Sequence, residues 1–169
     1  MSKSGKSQLY TVVDIHTWDV HNKRKKVRSL YDNPEHNQES EWEEFSAVCG
    51  MGTKYCEGRV MVDHYEGTFP SGQIVKGVNV RAYNPESGEW SLIWLDNRQA
   101  PDFEPLVGKF EHGVGTFNST ITTQDGRRVD VRFLLDNFTE ESLRWQQAFS
   151  LDGGQTWDIN WMMESTRRQ

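Results

Sequence analysis

The chain of 169 residues lacks a long apolar run. Nothing in it approaches the roughly 20 consecutive apolar residues of a membrane-spanning helix. Residues 1–8, MSKSGKSQ, carry no apolar core of a secretory signal, so they read as a disordered N-terminus ahead of one domain over residues 9–169. A cytoplasmic protein with no membrane partner is expected. Cysteine is scarce as well. Cys49 and Cys56 are the only two, with neither CxxC spacing nor histidines around them, which excludes a disulfide framework and a structural zinc site. The five histidines show no metal-ligand spacing, so neither a metal nor another cofactor is expected. Positive charge is also short. A net charge of −6 gives little attraction for a polyanion and argues against nucleic acid. The local exception, KRKKVR at residues 23–28, fits a solvated strand end or hairpin and, alternatively, a phosphate-binding patch.

A helical period is missing too. No segment of ten residues repeats its apolar positions at 3.6, whereas turn signals recur every eight to twelve residues. Among them are Asn84-Pro85-Glu86-Ser87-Gly88, His112-Gly113 and Gln124-Asp125-Gly126. Sequential hairpins of this kind predict an all-β, antiparallel up-and-down barrel of about eight to ten strands. Closure removes the sheet edges that would otherwise template aggregation.

What the chain does have is aromatic bulk. Only 35% of it is hydrophobic, yet it holds seven tryptophans and eight phenylalanines. The last third concentrates them on one face of three alternating strands. Val129, Val131, Phe133 and Leu135 share a side, as do Leu143, Trp145, Gln147 and Phe149, then Trp157, Ile159, Trp161 and Met163. In the middle hairpin Trp90, Leu92, Trp94 and Asp96 form another such row, and near the N-terminus Trp18, Val20 and Asn22 alternate against Asp19 and His21. If these faces point inward, they line either a packed core or a cavity for a hydrophobic or aromatic small molecule. Rings with a few placed polar groups are the usual composition of a ligand pocket.

The runs GVNVRAYNPESGEWSLIWLD, PLVGKFEHGVGTF and RWQQAFSLDGGQTWDINWMMESTR resemble a family of small bacterial and fungal proteins with a lipocalin-like (calycin) β-barrel. The resemblance implies a fold and a cavity, not a reaction. Calycin barrels tend to stack a first-strand tryptophan under an arginine at the end of the last strand. Trp18 and Arg167 or Arg168 are the matching residues here, with His16 in place of the usual glycine. Separately, SLDGGQTW is similar to the Asp-box of sialidases, a structural hairpin in which Asp152 folds back on turn amides.

Candidate chemistry follows from polar residues on the inward faces. His64 alternates with Val60 and Val62, on the face expected to point inward, where an imidazole can act as acid or base near neutrality. Asp96 and Gln147 join it as groups to move a proton or hold an oxyanion. Glu44 is the other acid considered, with an ambiguous phase. Trp94, Phe133, Trp145, Phe149, Trp161 and Met163 are the expected ligand contacts. Arg81 and Arg132 read first as part of an ion-pair lattice on the solvated face. In an inverted barrel, they, Gln146 and Asn160 would instead line a polar pocket. Three functions remain open at this point: a cofactor-free cyclase, isomerase or lyase for a small hydrophobic metabolite; a carrier or sensor; and a filled barrel serving as a subunit interface, with a possible homodimer. Residues 29–40 read as a loop long enough to serve as a lid.

Overall fold

The computed structural model describes residues 16–26 and 41–169. The expected N-terminal disorder over residues 1–8 and the lid at residues 29–40 lie outside the described residues. Ten antiparallel strands close into one barrel in which every strand pairs with its sequence neighbours and β1 meets β10. They are β1 (His16–Lys25), β2 (Trp42–Tyr55), β3 (Val60–Thr68), β4 (Ile74–Asn84), β5 (Glu89–Asp96), β6 (Leu106–Glu111), β7 (Val114–Thr122), β8 (Arg128–Asp136), β9 (Ser142–Ser150) and β10 (Asp158–Arg167). No described helix is long and apolar enough to cross a membrane.

The aromatic rows fix the lumen side. Trp18, Val20, Phe45, Ala47, Cys49, Tyr65, Phe69 and Val75 form one buried cluster. Leu92, Phe117 and Leu135 form a second, and Val129, Val131 and Phe149 a third. Each cluster draws its members from the same alternating face of paired strands, as the register Phe117 to Phe133 to Gln147 to Trp161 illustrates.

Two bulges adjust this pattern. In β2 the pairing skips between Gly50 and Thr53, and Gly52 adopts φ +95° where its N–H donates to Asp63 Oδ1 at 3.0 Å. That bulge carries the strand straight through GMGTKY, a segment whose glycines read as a connecting loop. In β10 the register shifts between Ile159 and Trp161, and Asn160 is buried beside Gln147, on the lumen side. An extra residue in one strand reverses the facing of the residues beyond it relative to a simple count of two.

β3 and β4 face opposite to the expectation. Asp63 and Tyr65 point into the barrel, and Val60, Val62 and His64 point out, with His64 exposed. On β4, Arg81 pairs in register with the buried Leu92 and thus faces the lumen, while Val78, Val80 and Ala82 face outward. Phase alone favours the aliphatic face for burial. The cross-strand register with Tyr65 and Leu92 overrules it, because one face must be shared around a closed barrel.

Candidate lumen site

The two ends of the barrel differ. At the end bearing the turn after β3, Phe69 is buried and folds in as a plug. The Arg24 guanidinium lies 3.6 Å from its ring centroid, and Arg98 lies 5.4 Å from it. Phe45 and Trp161 pack against the same ring at 4.9 and 6.3 Å. At the opposite end Tyr83 and Phe110 keep 37% and 43% of their surface, although their register puts them on the lumen face. That end is the mouth.

Between plug and mouth, the lumen-facing Phe133, Trp145, Gln147, Trp161, Met163 and Trp94 are only half-buried. Phe117 and Leu92 on the same face are almost wholly buried, at 1% and 2% exposure. Inward side chains that keep accessible surface at mid-barrel are compatible with room for a guest among them. The rings meet edge to face: Phe133 and Trp145 at 4.8 Å, Trp145 and Trp161 at 5.9 Å, Tyr65 and Trp94 at 5.7 Å. Trp94 lies over Gly77, where a Cβ would stand 2.4 Å from the indole.

The lumen's charges are paired. Arg24 Nε donates to Glu43 at 2.7 Å, Arg81 bridges Asp63 at 2.6 Å, and Arg98 bridges Asp96 at 2.6 Å. Asp96 also accepts from Trp94 Nε1 at 2.6 Å and from the Arg98 backbone N–H at 2.8 Å. Burial alone would raise its carboxyl. The hydrogen bonds from Arg98 and Trp94 outweigh that effect and hold it below the usual range. Gln147 Nε2 donates to Asn160 Oδ1 at 3.1 Å.

Compared with family models and with curated proteins, the chain matches none. The closed ten-stranded barrel is compatible with a lipocalin-like fold. Trp18 stands opposite Arg167 in the β1–β10 register, whereas Arg168 forks onto Asp19 at 2.6 Å.

Of the residues singled out from sequence, Trp94, Phe133, Trp145, Trp161, Met163 and Gln147 share the lumen face at mid-barrel. Asp96 joins through Trp94, near the plugged end. Phe149 is packed at the same face among Val129 and Val131. His64 does not join them. It stands on the outside, in a groove of about 910 Å³ over β1 to β5 together with Val48, Val78 and Leu95. Glu44 is exposed and lies 3.4 Å from His21, so Asp96 and Glu44 share no cavity. Arg132 is on the outer face with its guanidinium 4.1 Å from the centroid of Trp157, whose indole N–H donates to Gly154 O at 3.0 Å. Trp157 precedes β10 and serves that hairpin rather than the lumen. The inverted reading is thus met for Arg81 and Asn160 and not for Arg132 or Gln146.

Tyr65, Arg24, Glu43 and Asp63 belong to the site although the alternation pattern does not single them out, and it assigns Asn22 no role. Asn22 is fully buried on the lumen face; its Oδ1 accepts from Tyr65 Oη and Trp161 Nε1, each at 3.1 Å. The signal for it is a polar residue alternating with Trp18 and Val20. Burial pushes the Tyr65 hydroxyl above its ordinary range, so Tyr65 stays protonated as a donor.

Proposed function

We propose that the chain binds a small hydrophobic or aromatic molecule in its lumen and carries or senses it. The observation that carries this reading is the half-burial of inward-facing Phe133, Trp145, Trp161 and Met163 in a barrel plugged at one end. Aromatic walls with few polar groups suit such a guest, and the paired lumen charges favour an uncharged one. A catalytic version of the same reading is a cofactor-free cyclisation, isomerisation or elimination assisted by Asp96 and Gln147. It has weaker support, because the Asp96 carboxylate is clamped by Arg98 and Trp94 and Gln147 is engaged with Asn160.

Equilibrium dialysis against 2-ethylnaphthalene tests the binding. The wild-type chain is expected to retain the probe saturably at one site. Met163→Trp, which adds bulk to the lumen face, is expected to lose it while keeping the strand signature in circular dichroism. No saturable retention, or equal retention by a folded Met163→Trp, would refute the reading.

A further inference from the structure

The outer surface of the barrel is polar on one side and apolar on the other. Over β7 to β10 the outward positions carry Asn118, Asp130, Arg132, Arg144, Gln146 and Glu164, the polar face that alternation gives a sheet in water. Over β2 to β5 that alternation is lost. Thr53, Val62, Val80 and Ile93 stand side by side in one outward row, and Tyr55, Val60 and Ala82 in the next. On the other flank Val78 and Leu95 lie beside His64. These three rows hold no Lys, Arg, Asp or Glu. Each aliphatic side chain in them keeps part of its surface, and Tyr55 is exposed, as is Val48 nearby in the groove. Strands that are apolar on both faces are the pattern of a sheet covered on both.

Charge, shape and area point to the same occupant. The ion pairs nearest the face are matched, Glu66 with Lys76 at 3.1 Å and Asp19 with Arg168 at 2.6 Å, so they call for neither an acidic nor a basic partner. The chain as a whole carries −6, and two copies repel each other least where a face is neutral. A closed barrel offers no strand edge for pairing, so contact must be face on face. Strand twist makes a barrel convex around its girth and concave along its strands, and a groove of about 910 Å³ marks the concavity here. Two such saddles nest when their strands cross at nearly a right angle, as in orthogonal sheet packing. With strands about 4.8 Å apart and outward residues about 6.8 Å apart, three rows on four strands span roughly 400 Å² with their side chains. That is the apolar centre of an interface burying about 800 Å² per partner, whose remainder is a polar rim. We infer that this face is the interface of a homodimer: a second copy of the chain lays its own β2 to β5 face across it, with Val62, Val80 and Ile93 at the centre. The face lies outside the barrel, so the dimer is independent of what the lumen holds.

Sedimentation equilibrium of the full chain tests it. The wild type is expected at twice the mass of one chain at micromolar concentration, in low and high salt alike, because apolar contact carries the association. Val80→Lys sets like charges near the centre of the interface and is expected to weaken association about a hundredfold or more, with the strand signature in circular dichroism kept. Gln146→Lys, on the polar outer side, is expected to leave the dimer intact. Because Val80→Lys can disturb its strand, a second measurement uses wild-type protein. In a mixture of 13C-methyl-labelled and unlabelled copies, isotope-filtered NOEs are expected from the methyls of Val62, Val80 and Ile93 to the other copy. A monomeric wild type, a dimer that Gln146→Lys weakens and a folded Val80→Lys does not, or intercopy NOEs confined to other faces would overturn the inference.

Discussion

At the scale of single residues, the two cysteines separate by environment. Cys49 is on the lumen face at 8% exposure, and burial pushes its thiol up to about 12, with Asp63 adding to the rise. Cys56 is exposed. Thiolate is the reactive form, so iodoacetamide at pH 8 should alkylate Cys56 alone in the native protein and Cys49 only after unfolding. Peptide mass mapping would show this, and rapid native labelling of Cys49 would contradict the assigned face. Asp152 offers a second check. It accepts from Thr156 Oγ1 at 2.6 Å, from the Thr156 and Gln155 amides, and from Ser150 Oγ at 2.7 Å. The hydrogen bonds of Thr156, first through the hydroxyl and then the amide, bring its carboxyl down to about 2. A depressed carboxylate stabilises the fold above its unfolded value of about 3.9 and loses that contribution as pH falls through the folded value. The melting-temperature gap between wild type and Asp152→Asn should accordingly be constant above about pH 5 and shrink between about pH 4 and pH 2. A gap that does not vary with pH would show that the charge plays no part in the hairpin.

At the scale of elements, the register decides more than residue type does. Gly77 on β4 is where the indole of Trp94 comes close, so that an added Cβ would stand 2.4 Å from it. Gly77→Ala must push that indole off its seat and away from Asp96. The expected cost is about 1–3 kcal/mol of stability by urea unfolding, with a changed Trp94 environment in near-ultraviolet circular dichroism. A neutral substitution would mean that the indole has a second place to go. The strands most legible in the sequence are β5, β8 and β9, whose aromatic rows Trp90 to Asp96, Val129 to Leu135 and Leu143 to Phe149 face the lumen as their alternation predicts. β3 and β4 are not legible, because both of their faces carry apolar residues. Valines at 60, 62, 78 and 80 look like a core row, while Met61, Tyr65 and Leu92 across the ladder set the inward side. His64 shares the phase of those valines and goes outward with them. The bulge at Ile159–Trp161 leaves Asn160 inward, the one at Gly50–Thr53 carries β2 through its glycines, and no period of two anticipates an inserted residue.

At the scale of the whole molecule, closure turns ten amphipathic strands into an inside and an outside without any free edge. The up-and-down order is readable from the spacing of turns. How the lumen is filled is not, since aromatic rows serve a packed core and a ligand cavity equally well. What separates the two is which rings remain half-buried once the strands have closed. The same closure leaves two candidate places for an apolar guest: the lumen and the outer groove over β1 to β5 with Val48, Val78 and Leu95. Methyl-labelled NMR during titration with 2-acetylnaphthalene distinguishes them directly. Lumen binding predicts shifts at the Met163, Met51 and Leu143 methyls, which line the lumen cluster, and still resonances at Val48, Val78 and Leu95. Shifts confined to the outer methyls, with Met163 and Leu143 unmoved, would contradict it.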